Sequence, residues 1–446
     1  MRLKSNAVIR APVAGAESGR VQALFCASTL SARRCPGWTT PGNRQGSAPA
    51  TGLAFVMALA LFATASAGEI KFRAEQLPER LEVGYAVTVV DMNADAKPDV
   101  VVVDTERVIW LENPSWQVHT LIQGQTKRDN VCIAPYDIDG DGKVDFALGA
   151  DWRPIDTRTG GTIQWLGQPA SADGRWQVHP MGEEPTVHRM RWADLNGDGR
   201  KELIVMPMMG RDSTKPLWME HPLRVLAYEI PRDPTAAWQP KVLNQELHVA
   251  HNFWPTDLDH DGKTDILVAS FEGVTLLRRG DGDRWTSQRI GTGNQDNPEA
   301  RGASEIKHGT LAGGGDYIAT IEPWHGYQVV VYTRPADAKS VLWDRHVLDS
   351  DLKWGHAVWC ANVDGDEDQE LIIGVRDDKE SAGRCGLRIY DAQDRNGKEW
   401  RRTIVDPGGV NIEDLTAADF DGDGRTDIVV VGRQSHNIRI YWNETE

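Results

Sequence analysis

An acidic nonamer recurs six times along the chain of 446 residues, and its spacing of oxygen-bearing side chains is that of a cation cage. The copies start at Asp91, Asp137, Asp194, Asp257, Asn362 and Asp419, the clearest reading DIDGDGKVD and DFDGDGRTD. The pattern D-x-[DN]-x-D-G-x-x-[DE] sets oxygens at positions 1, 3, 5 and 9 and a Gly at 6 for a sharp turn. A hard cation with many oxygen ligands wants this arrangement, and calcium fits best. Four copies are complete and supply Asp137, Asp139, Asp141 and Asp145; Asp194, Asn196, Asp198 and Glu202; Asp257, Asp259, Asp261 and Asp265; and Asp419, Asp421, Asp423 and Asp427. The other two have Ala96 and Glu367 where Gly belongs, so weaker or empty sites are expected there. A helix-flanked calcium hand is excluded, because it needs a Glu at position 12. That position holds Leu148, Val205, Val268 and Val430 in the complete copies.

A second set of titratable residues lies just ahead of the segments that lead into these loops: Asp129-Asn130, His188-Arg189, His251-Asn252, Glu305 with His308, His356, and Asn411 with Glu413-Asp414. Their equivalent placement expects them to converge. A cluster of His, Asn and acid in one cavity is a candidate site for acid–base chemistry or for a metal.

The elements that must position both sets are short strands. Each acidic loop is followed by a β-branched apolar run (VVVV, FALGA, LIVMP, ILVAS, LIIGV, IVVV) and preceded by another, such as RMRWAD or NFWPTD. Apolar runs this short, bounded by Gly, Asp and Pro, are strands. The loop spacings are 46, 57, 63, 105 and 57, and the gap of 105 hides one unit, whose degenerate copy falls at Lys307 to Thr320. Six Trp residues (116, 176, 238, 285, 343 and 400) open the fourth strand of successive units, expected to pack between blades. Seven four-stranded units predict an all-β, seven-bladed propeller. The last unit lacks a fourth strand, and EIKFRAEQLP near residue 69 is predicted to supply it, which removes an open edge.

The acidic loops resemble the FG-GAP/VCBS repeats of calcium-binding propellers. GGTIQWLGQP (160–169), PTVHRMRWAD (185–194), YIATIEPWHGYQVVVY (317–332) and GHAVWCANVDGDEDQELIIGVR (355–376) resemble the propeller domain of the aldos-2-ulose dehydratase/isomerase family. That resemblance implies dehydration of a keto-sugar, with His188 as acid/base and Arg189 on the enolate. It also implies a sugar or glycan partner, with Asn130, Asn252, Trp324 and Asn411 as candidate substrate contacts. His251, Glu305, His325 and His356 could hold a zinc-like divalent ion. The family carries cupin domains that are absent here, so a separate cupin protein is a candidate partner. Two other readings remain open: a non-catalytic propeller that binds glycan or protein, and a polysaccharide lyase.

The formal charge of −16 argues against nucleic acid or an anionic membrane as partner. Residues 1–67 carry seven basic side chains and one acid, so the remainder stands at −22. Twenty-one carboxylates occupy loop ligand positions, which reads that charge as ion cages. The run GLAFVMALALFAT ends at Ala65-Ser66-Ala67, as a secretory signal does. Residues 1–67 are therefore expected to be a leader, and 68–446 a secreted or periplasmic propeller. Cys132, Cys360 and Cys385 form no CxxC, so neither a disulfide framework nor a zinc motif is expected.

Overall fold

The computed structural model describes residues 68–171, 174–376 and 385–446; the expected leader lies outside them. The described residues form seven four-stranded antiparallel sheets and no helix. No helix among them is long and apolar enough to cross a membrane.

Each sheet is one blade, built outward from an inner strand: Ala86–Val90, Cys132–Tyr136, Val187–Ala193, Ala250–Thr256, Ile306–Leu311, Gly355–Ala361 and Ile412–Ala418 for blades 1 to 7. The second strands are the β-branched runs, buried along their length: Asp99–Val103, Asp145–Ala150, Glu202–Pro207, Asp265–Ser270, Gly315–Glu322, Glu370–Val375 and Asp427–Gly432. A strand covered on both faces by neighbouring blades reads as continuous apolar sequence, and these do. The predicted seven-bladed propeller is the observed fold. The hidden unit is blade 5. Blade 7 takes its fourth strand from Phe72–Gln76, which pairs antiparallel with Ile438–Asn443.

The Trp residues sit as expected. Trp116 of blade 1 packs edge-on against Phe420 of blade 7, with ring centroids 6.2 Å apart. Trp400 of blade 6 meets Tyr317 of blade 5 at 5.2 Å. Polar ties also cross between blades: Trp192 Nε1 donates to the Ala134 carbonyl, and the Val87 N–H to Asp414.

Each acidic loop is folded by its own carboxylates. The position-1 Asp accepts backbone N–H groups from inside the loop: Asp137 from Gly140 and Gly142, Asp419 from Gly422 and Gly424. The position-6 glycines have φ between +82° and +87° in the four complete loops. Ala96 takes the same left-handed conformation at +65°, where a Cβ is strained. The position-9 acid turns inward and staples the loop to the third strand. Asp145 accepts from Ile138 and Gln168, and Asp427 from Phe420 and Asn443. Ligand oxygens come together in the loops of Asp137 and Asp257, and also at Asp364, Asp366 and Glu370 of the copy that sequence reading expects to be weak.

Candidate functional site

A one-residue irregularity in four inner strands builds the site. The register with the second strand slips between Val187 and Arg189, Ala250 and Asn252, Gly355 and Ala357, and Ile412 and Asp414. The residues at the slips are His188, His251, His356 and Glu413. A bulge re-aims a side chain that strict alternation would send elsewhere. These four side chains line a cavity of about 310 Å³ at one mouth of the channel. The residues that follow three of them, Arg189, Asn252 and Asp414, line a second cavity of about 420 Å³ further along.

His325 completes the mouth from a turn at the end of the second strand of blade 5. Its φ is +49°, strained for a non-glycine residue. Gly326 makes that turn possible, because a Cβ there would lie 2.3 Å from the Glu322 backbone. Trp218 and Trp354, near the same mouth, also have φ of +58°.

The imidazoles meet at His251. Its Nε2 lies 3.0 Å from His188 Nε2 and 2.8 Å from His325 Nε2. The His356 ring centroid is 5.0 Å from that of His251. Hydrogen-bond partners fix two tautomers. His251 Nδ1 is 2.5 Å from the Glu305 carboxylate, and His356 Nδ1 is 2.6 Å from the Glu413 carbonyl. A carbonyl only accepts, so His356 Nδ1 carries a proton and its Nε2 keeps a lone pair; the carboxylate does the same for His251. Ligand nitrogens of His251, His325 and His356 lie within 4.8 Å of one another, so the trio fits a divalent ion.

Glu305 is placed differently from the sequence expectation. It sits behind His251 on Nδ1, where it accepts from Asn252 and lies 3.7 Å from Arg189. It therefore orients His251 instead of adding an oxygen to the nitrogen cluster. Arg189 donates to the His188 carbonyl at 3.1 Å and faces the second cavity, not the mouth. Arg376 and Arg433 face the mouth in its place, both anchored on Glu413 at 3.4 and 2.8 Å. Asn130 and Asn411 line neither cavity. The Asn130 amide is engaged with Thr126 and the Asp104 and Thr105 carbonyls, and Asn411 bonds Ser435 and Arg433 through its backbone. His308 points away, to Thr256 and Asp316. Asn252 and Trp324 do reach a cavity, Asn252 the second and Trp324 the mouth.

Burial holds all four imidazoles well below the usual histidine range, and the charges of Arg189 and Arg376 press three of them, His251, His325 and His356, further down. For His188 the second cause is Arg189, then His251. The mouth is thus a set of neutral bases beside fixed cations. Among the described residues, Trp152 Nε1, Trp324 Nε1 and His188 Nδ1 are buried polar atoms with no hydrogen-bond partner, all on side chains that line the mouth.

Residues 160–335 match the family model of the aldos-2-ulose dehydratase beta-propeller domain, and residues 91–148 and 362–430 match that of the FG-GAP-like repeat. Both resemblances expected from sequence hold. Aldos-2-ulose dehydratase of Phanerodontia chrysosporium is 30% identical over 289 residues, 59% of this chain and 31% of the relative. The chain matches about a third of that relative's length. Among solved structures, an Agrocybe aegerita lectin described as recognising non-reducing terminal N-acetylglucosamine is 13% identical, covering 81% of this chain and 86% of the lectin at a TM-score of 0.47. BBS1N, in complex with ARL6DN, is also 13% identical, covering 85% of this chain and 98% of its own at a TM-score of 0.49.

Proposed function

We propose that this protein is a secreted, calcium-stabilised carbon–oxygen lyase that dehydrates a keto-sugar of the aldos-2-ulose or anhydrofructose type at the propeller mouth. The observation that carries the reading is the group of four imidazoles, three buried and His325 half-buried, that shares the mouth with Arg376 and Arg433. Dehydration beside a carbonyl needs a base for the α-proton, positive charge for the developing enolate and a proton for the departing hydroxyl. A neutral His188 accepts the α-proton; its imidazolium, or a neighbouring imidazole N–H, returns a proton to the β-hydroxyl, which leaves as water. Arg376 and Arg433 stabilise the enolate oxygen. The Trp152 and Trp324 N–H groups donate to sugar oxygens. A divalent ion held by His251, His325 and His356 would polarise the carbonyl, with Glu305 orienting His251. The complete acidic loops hold calcium. A partner cupin protein would carry any isomerisation of the product.

The test is a screen of anhydrofructose and of 2-keto and 3-keto sugars for an absorbing enone product, with and without EDTA. Turnover is expected with at least one sugar. His188→Ala should lower kcat at least about 100-fold with an unchanged near-UV circular dichroism spectrum. Full activity in His188→Ala overturns the role of His188, and saturable sugar binding without turnover replaces the lyase with a glycan-binding propeller.

A further inference from the structure

The second cavity of the channel differs from the mouth in its chemistry. Lys307 is 4% exposed, yet among the described residues it makes no hydrogen bond or close ion pair. Its Nζ stands 3.6 Å above the Trp254 ring and 4.6 Å from Trp359. Arg191 lies 5.0 Å from the Phe253 ring and 5.1 Å from Trp254, and its Nη1 is buried with no partner. The two carboxylates of the cavity are already engaged. Glu305 bonds His251 and Asn252 with Arg189 3.7 Å away, and Asp414 accepts the Val87 N–H at 3.1 Å. Both carboxylates also act on Lys307 and Arg191, but four basic side chains, Arg189, Arg191, Lys201 and Lys307, line the cavity against these two acids.

Buried cations that outnumber the acids beside them are costly, and aromatic faces offset only part of that. Burial, then Arg189, pulls Arg191 down to about 10 against the pull of Glu305 and Asp414, and burial, then Arg191, lowers Lys307 as well. We propose that this cavity binds a small oxyanion, a carboxylate or phosphate group, gripped by Lys307 and Arg191. Lys supplies a compact charge and Arg a planar fork, the usual pair for such groups. At about 420 Å³ the cavity holds a single monosaccharide-sized ion, and tryptophan walls suit a sugar ring. The proposal is independent of the lyase reading, since neither cation lines the mouth.

Trp254 and Trp359 make the site visible by fluorescence. The experiment titrates the full chain with sodium phosphate and with sodium gluconate, against sodium chloride at matched ionic strength. A saturable change is expected with at least one oxyanion and not with chloride. Response to phosphate alone identifies a phosphate or phosphoryl ligand, and response to gluconate alone a sugar acid. Lys307→Met should weaken binding at least about tenfold, the loss of one charge-assisted bond, while Lys307→Arg stays within about threefold. Should Lys307→Met fail to fold, Arg191→Gln carries the same expectation. No saturable response beyond chloride, or unchanged affinity in the charge-removing variants, overturns the proposal.

Discussion

Blade 5 and the blades with complete acidic loops meet one local need in two ways. Each has a buried carboxylate near the start of its second strand. In blades 2 and 7 it is Asp145 and Asp427, satisfied by backbone N–H groups alone, and burial pushes both up to about 6. In blade 5 it is Asp316, which His308 and His260 meet at 3.0 and 3.2 Å and Arg334 at 3.0 Å. Burial pushes Asp316 up, but hydrogen bonds from His308 and Arg334 outweigh it and hold the carboxyl below its usual range. The acid of blade 5 is thus met by side chains, His308 and Arg334 of its own blade and His260 of the blade 4 loop. In blades 2 and 7 no basic side chain reaches that acid among the described residues, whereas in blade 4 Arg278 lies 3.4 Å from Asp265. Blade 5 thus keeps one acid near the start of its second strand, and side chains from outside the loop meet it.

That contrast can be broken from the strong end first. EDTA should lower Tm by about 10 °C or more, as several ion-linked loops lose their ligand together, whereas matched sodium chloride should shift it by a few degrees at most. An EDTA effect no larger than that of salt would remove the cation from the loops. In EDTA the pH profile should carry opposite signs in the two regions. Asp145 and Asp427 have raised values, so the stability they contribute is full near pH 4 and is lost as pH rises through about 6. Asp316 is lowered, so its contribution is full above pH 4 and fades in acid. Chelated protein should then melt lower at pH 7.5 than at pH 5, and added calcium should reverse the order.

Point variants sharpen the same contrast. Asp316→Asn should cost about 2 kcal/mol whether or not calcium is present, because Arg334 loses its counter-charge and His308 an acceptor. Asp145→Asn should cost a similar amount in calcium and close to nothing in EDTA. Equal calcium dependence of the two would merge the regions into one class. The smallest effect is expected from Ala96→Gly, which relieves a left-handed alanine and should stabilise by about 0.5–1 kcal/mol. Thermal melts in calcium and in EDTA read all of these.

The propeller was legible because its loops repeat Asp and Gly at fixed offsets and most of its second strands are apolar runs that follow them. The spacing of 105 located blade 5 even without its acids. The mouth was half legible. His188, His251 and His356 precede loop-bound strands and were found there. The slips that aim them have no residue signature, so Arg189, one position on, was expected at the same surface and faces the other cavity. Arg376, Arg433 and Trp152 were missed because they follow second strands. An antiparallel hairpin returns that end to the same mouth, so the pairing itself was the available signal. Asn130 and Asn411 fit the positional rule but are engaged locally, which only contacts reveal.

The N-terminal strand that completes blade 7 also sets an order of events. Lys71 and Thr445, bonded across that seam, are 374 positions apart, a loop whose closure costs roughly 5 kcal/mol in chain entropy. Six blades can form before the seventh closes, while the strand at Phe72–Gln76 waits unpaired for its distant partner. During that interval the molecule has two complementary sticky ends. Two chains folding close together can exchange them, so crowding during folding favours linked rings over single ones.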